Sequence, residues 1–168
     1  QDGYNDKEKD YAISKDETIN IRLLQKGKGG EMVKIPGKNY SMDITEVTIE
    51  QFEECLNEGV CTIDYDYKKY MKGIDFPIVN IIYEEAKVFC EWAGKRLPTE
   101  EEWRYAAKGG KNYKYSGSNN INEVAWYYDN TGGYIQEVGL KKANDYGLFD
   151  MSGNVWEMSN IKGHLLGG

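Results

Sequence analysis

Residues 111 to 145 run without a helical or a strand period and are dense in Gly, Asn, Tyr and Lys. So long an aperiodic stretch is uncommon inside a compact domain, and it points to function or to a loop packed by its own aromatics or by a bound ion. It directly follows three sharply punctuated helix signals. Thr48 with Gln51 forms a capping box, and Phe52, Cys55 and Leu56 then share one face until Gly59, so a helix is expected near 48 to 58. In "YEEAKVFCEWAG" Ala86, Phe89, Cys90 and Ala93 repeat at helical spacing before Gly94, giving a second helix near 83 to 93. Thr99 with Glu102 caps a third, near 99 to 108. Pro98 and Trp103 hold its staple positions, three glutamates face its positive end, and Trp103, Ala106 and Ala107 face the core.

Upstream the signals are weaker. Residues 1–30 read as a polar lead-in in which only "TINIRLL" alternates as a strand would, at Ile19, Ile21 and Leu23. "EMVKIPG" suggests a strand through Met32, Lys34 and Ile35, turned by Pro36-Gly37, so the main domain is taken as 31–168. Short helices, a few strands and a long aperiodic segment make an α+β domain with a small antiparallel sheet. A chain of 168 residues needs no second domain.

The charge balance narrows the partners. Lys and Arg number 21 against 28 Asp and Glu, a net charge of -7 with no basic run, so nucleic acid is not an expected partner. No apolar run approaches the ~20 residues of a membrane span, and no signal-peptide pattern opens the chain. A first residue of Gln1 rather than Met hints at a mature, exported product, which gives an extracytoplasmic or cell-surface expectation.

Three blocks, "IPGKNYSMDITEVTIEQFEEC", "EEAKVFCEWAGKRLPTEEEWRYAAKGG" and "NDYGLFDMSGNVWEM", occur in this order. Together they resemble the formylglycine-generating-enzyme, or sulfatase-modifying factor, family. The resemblance covers residues 31 to about 158, and it implies a C-type-lectin-like α+β fold with long irregular segments. It also implies a calcium site: a side-chain oxygen of Asp150, backbone oxygens of Gly153 and Val155, and the carboxylate of Glu157, with Leu148, Phe149 and Trp156 anchoring the loop. The chemistry is consistent, since calcium takes six to eight hard oxygens, carbonyls among them. From the residues alone the same stretch reads as an Asx turn leading into a strand.

The family's oxidase chemistry uses a pair of cysteines, with copper in aerobic members, beyond the block that matches Gly153 to Glu157. This chain continues only to "HLLGG", which resembles the start of the family's next strand, so a C-terminally incomplete domain is expected. No catalytic residue is assigned. The single histidine, His164, is not expected to bind metal, whereas the family's sulfoxide-forming iron enzymes need a cluster.

Cys90 lies on the inner face of the second helix and is expected to pack as a small apolar group. Cys55 and Cys61 flank a reversal at Gly59, within reach of a structural disulfide; two free thiols or a redox-active pair are the alternatives. Trp126, Tyr127, Tyr128 and Tyr134 are candidates for a ligand-contact surface, because Tyr and Trp offer large area with few rotors. Packing is the favoured reading for Trp126, and the two readings stand level for the tyrosines. The Lys95-Arg96 pair is expected to form salt bridges. The expectation is a noncatalytic module binding a protein or small molecule, the alternative being a formylglycine-generating oxidase whose cysteine segment is absent here.

Overall fold

The computed structural model describes residues 25–64, 66–67 and 73–168. "TINIRLL" lies outside them. Two antiparallel sheets and five helices form the described part, an α+β architecture. Strands β1 (Gln25–Gly27), β2 (Gly30–Lys34) and β3 (Ser41–Asp43) pair in that order, so the first strand falls within the span read as lead-in. On β2 the inward residue is Val33, followed by Ile35, while Met32 is only half-buried; the strand's phase is one residue away from the expected one.

Helices α1 (Ile49–Asn57), α2 (Tyr83–Trp92) and α3 (Glu100–Lys108) fall within the expected spans. Thr48 and Thr99 both close capping boxes, with Gln51 and Glu102 as their partners. Gly109 ends α3 in the left-handed conformation at φ 56°. Two one-turn helices, α4 (Ile121–Val124) and α5 (Tyr128–Thr131), interrupt the otherwise irregular segment after α3. Strands β4 (Trp156–Met158) and β5 (Leu165–Gly167) make a second, two-stranded sheet. No helix among the described residues is long and apolar enough to cross a membrane.

Two apolar clusters hold these pieces. One joins Val33 and Ile35 to Trp103 and Ala106 of α3, to Leu148 and Met151, and to Leu166 of β5. The other packs α1 on α2 through Ile49, Phe52 and Phe89, with the Phe52 and Phe89 rings stacked 5.5 Å apart. Cys55 and Cys61 form a disulfide inside this second cluster, with Cα atoms 5.3 Å apart. Lys95 pairs with Asp43 at 2.5 Å and Arg96 with Glu102 at 2.6 Å, so both cations of the Lys-Arg pair bind carboxylates.

The long segment is closed at its base by buried Asn144. Its amide nitrogen donates to the Ala106 carbonyl at 2.9 Å and to Ser116 Oγ at 3.0 Å. Its amide oxygen accepts from the backbone N–H groups of Tyr146 and Leu148. One side chain thereby ties the end of α3, the start of the segment and its return.

Candidate functional site: a buried acidic loop beside a cavity

The chain from Asp150 to Glu157 is wound too tightly for ordinary backbone. Asp150 and Asn154 both have positive φ, 52° and 58°, and Gly153 lies between them at 88°. A Cβ on Gly153 would sit 2.2 Å from the Trp126 carbonyl oxygen, so only glycine lets the loop pass there. Asn154 N–H donates to the same carbonyl at 2.8 Å. Because a trans peptide points its N–H and C=O in opposite directions, that bond turns the Gly153 carbonyl away from Trp126.

Three carboxyl groups meet this stretch, two from within it and one from a distant part of the chain. Asp150 is 2% exposed; its Oδ2 accepts from Gly139 N–H at 2.7 Å, while Oδ1 is buried without a hydrogen-bond partner. Glu157 Oε2 accepts from the Trp103 indole N–H at 2.9 Å. The third is Glu46, buried between β3 and α1: Oε1 accepts from Val155 N–H at 3.1 Å and Oε2 from Asn154 Nδ2 at 2.8 Å. Sequence reading missed Glu46, which lies 108 residues from Asn154; its position just before Val47 and the Thr48 cap carried no sign of this partner.

All three acids hold their protons more tightly than usual. Burial pushes Glu46 up to about 9, helped by the charges of Glu157 and Asp150 and opposed by its bonds to Asn154 and Val155. Burial raises Asp150 as well, against the Gly139 N–H. Glu157 is half-buried as a residue, yet desolvation of its carboxyl is the main cause lifting it to about 7. Trp103 opposes that rise, and the Asp150 and Asp43 charges add to it. Such a set needs protons or a cation.

Of the expected ligand residues, Asp150, Gly153 and Val155 lie in the loop and Glu157 in β4 directly after it. Among the described residues no three His, Cys, Asp or Glu side chains are grouped closely enough to hold a metal by themselves, so an ion here would depend on backbone carbonyls. The orphaned Asp150 Oδ1 and the hard-oxygen donors fit calcium. The expected anchors are corrected in part. Leu148 is fully buried and Phe149 half-buried, but Trp156 is 63% exposed. Neighbouring residues of a strand point to opposite faces, and in β4 the inward place beside Trp103 is taken by Glu157, so Trp156 turns out. Met151 takes the buried role instead.

Beside the loop opens a cavity of about 910 Å³, lined by Met42, Glu46, Ile81, Phe149, Val155 and Glu157 among others. The aromatic candidates divide. Trp126 and Tyr127 are half-buried: Lys141 Nζ lies 3.8 Å from the Trp126 ring centre, and Tyr127 Oη donates to Asn122 Oδ1. Tyr128 and Tyr134 are 76% and 77% exposed on either side of Gly132-Gly133. They are displayed rather than packed. Cys90 is half-buried and burial pushes its thiol up to about 11, so of the three cysteines two are bonded and the third resists ionisation.

The profile of the sulfatase-modifying factor enzyme 1-like domain matches residues 14–162. The chain belongs to the sulfatase-modifying factor family. Within that family it is 39% identical over 97 residues to the inactive C-alpha-formylglycine-generating enzyme 2 of Bos taurus, covering 50% of this chain and 32% of that one. It is 40% identical over 100 residues to the formylglycine-generating enzyme of Mycobacterium tuberculosis, covering 51% and 33%. The chain thus spans about a third of the length of these curated relatives. Among solved structures, Treponema denticola variable protein 1 superposes with a TM-score of 0.56 at 27% identity, covering 68% of this chain and 59% of that one. An inactive and an active relative match nearly equally well, so likeness over this part of the sulfatase-modifying factor fold does not separate catalysts from noncatalytic members.

Proposed function

We propose that this chain is a noncatalytic module that binds a protein or small-molecule ligand on the sulfatase-modifying factor scaffold. The observation that carries the reading is the state of its cysteines. A thiol nucleophile or copper-thiolate site needs a thiolate, whereas Cys55 and Cys61 are bonded to each other and Cys90 holds its proton to about 11. The contact surface is assigned to the exposed Tyr128 and Tyr134 together with the half-buried Trp126 and Tyr127, and the cavity beside the acidic loop has the volume of a small-molecule site. The disulfide supports an oxidising, extracytoplasmic compartment. The test is incubation with a sulfatase-motif cysteine peptide, oxygen and copper. The expected result is unchanged peptide; conversion of its thiol to an aldehyde would establish the oxidase reading, which the likeness to formylglycine-generating enzymes supports.

The same reading includes a structural calcium ion held by the Asp150 side chain, the carbonyls of Gly153 and Val155, and the Glu157 carboxylate. Bound there, calcium supplies the positive charge that the buried acids lack. An ion that binds only the folded state raises the melting temperature by mass action, and magnesium, which holds its waters in a tight octahedron, should do so poorly. Glu157→Gln should shrink the calcium-dependent rise. A chelator that leaves the wild-type melting temperature unchanged would remove calcium from the proposal.

A further inference from the structure

Glu46 reaches the acidic loop from a distant part of the chain, where its side chain accepts from the backbone N–H of Val155 and from the Asn154 amide. Resting on the calcium reading, we propose that Glu46 is the positioning residue of this site: its carboxylate fixes Asn154, the residue between the two carbonyl donors, in the left-handed conformation that presents them.

Three observations carry this. Asn154 adopts φ 58°, a left-handed conformation that is unfavourable for an L-residue and needs support from its surroundings. That support comes from its own side chain: Oδ1 accepts from Gln136 N–H at 3.0 Å, and Nδ2 donates to Glu46 Oε2 at 2.8 Å and to the Gln136 carbonyl at 3.2 Å. Glu46 Oε1 meanwhile accepts from Val155 N–H, which orients the Asn154–Val155 peptide plane. Successive peptides of the loop are therefore pinned, one by the Trp126 carbonyl and the next by a carboxylate from a distant part of the chain.

Both oxygens of Glu46 face N–H donors, so with the charge of the bound cation beside it the group sits there as a carboxylate and offers two acceptors. A glutamine there offers one acceptor and one donor, so whichever way its amide turns, an N–H meets either Val155 N–H or Asn154 Nδ2. Flipping Asn154 does not help, because its amide nitrogen would then face Gln136 N–H. Adding Asn154→Asp to Glu46→Gln removes this clash of donors, because the introduced amide donates to the introduced carboxylate and still accepts from Val155 N–H; the 3.2 Å bond to the Gln136 carbonyl is lost in exchange, so the double variant restores the arrangement only in part.

Calorimetric titration of calcium into the wild type, Glu46→Gln and the double variant Glu46→Gln/Asn154→Asp tests this, alongside melting temperatures in chelator. The expected result is an at least tenfold larger calcium dissociation constant for Glu46→Gln, the range typical of groups that orient metal ligands, with affinity partly recovered in the double variant. A merely structural role would lower the metal-free melting temperature of both variants without this loss and recovery of affinity. Wild-type affinity in Glu46→Gln overturns the proposal. So does a double variant no better folded and no tighter than the single one. Calcium binding absent from the wild type overturns the calcium reading itself, and the positioning role with it.

Discussion

An added methyl group decides the matter at Gly153. Alanine there would need both the φ of 88° and space already held by the Trp126 carbonyl oxygen, a backbone atom that cannot swing aside. Gly153→Ala is expected to lose about 3 kcal/mol or more of unfolding free energy in urea titration. Glu102 gives a milder and pH-dependent effect. It caps α3 and takes both guanidinium nitrogens of Arg96, which hold its carboxyl down at about 2 against 4.5 when unfolded. A depressed acid contributes stability that is fully present above the unfolded pKa and fades as pH falls toward the folded one. Glu102→Gln keeps the cap but loses the ion pair. It should be less stable than wild type by about 1 kcal/mol near neutrality, Arg96 being largely exposed, and the two proteins should converge as urea titrations are repeated from pH 5 down to pH 2.

Among the elements, the three longer helices were legible because each carries a helical period and a glycine stop within a dozen residues, and α1 and α3 a threonine cap as well. Of the strands, β2 was expected in its place but not in its phase, and the three-residue strands β1 and β3 were not foreseen. Three residues hold too little alternation to fix a phase, and which side of β4 faces inward is settled by the distant Trp103 indole donating to Glu157, so Trp156 could not be placed from its neighbours. Glu46 was illegible for the same reason: its role exists only through residues more than a hundred positions away. Asn144 stood inside a stretch already singled out, but its grip on Ala106 and Ser116 needs the return of the chain to be known. Between Cys55 and Cys61 the contact is local and was foreseeable. With a sequence separation of 6, the bridge closes a short loop, and reducing it should lower stability by about 2 kcal/mol in the chain-entropy picture, measured by urea unfolding of the oxidised and reduced protein.

On the scale of the whole molecule, order is concentrated in two apolar clusters, while the long segment between α3 and Asn144 is held at its foot by Asn144 and along its length by bonds from Trp126, Gln136 and Gly139 to the acidic loop. At its tip, Gly132 and Gly133 turn with φ of 65° and 85° between two exposed tyrosines. Four Gly/Ser residues inserted between these glycines should change unfolding free energy by less than about 1 kcal/mol, since lengthening a loop whose ends are already fixed adds little entropy. Thermal and urea denaturation of the insertion variant measure that. The turn at Gly132-Gly133 therefore lies outside what folding depends on: its length and sequence are free to drift while the bonds of Trp126, Gln136, Gly139 and Asn144 are kept.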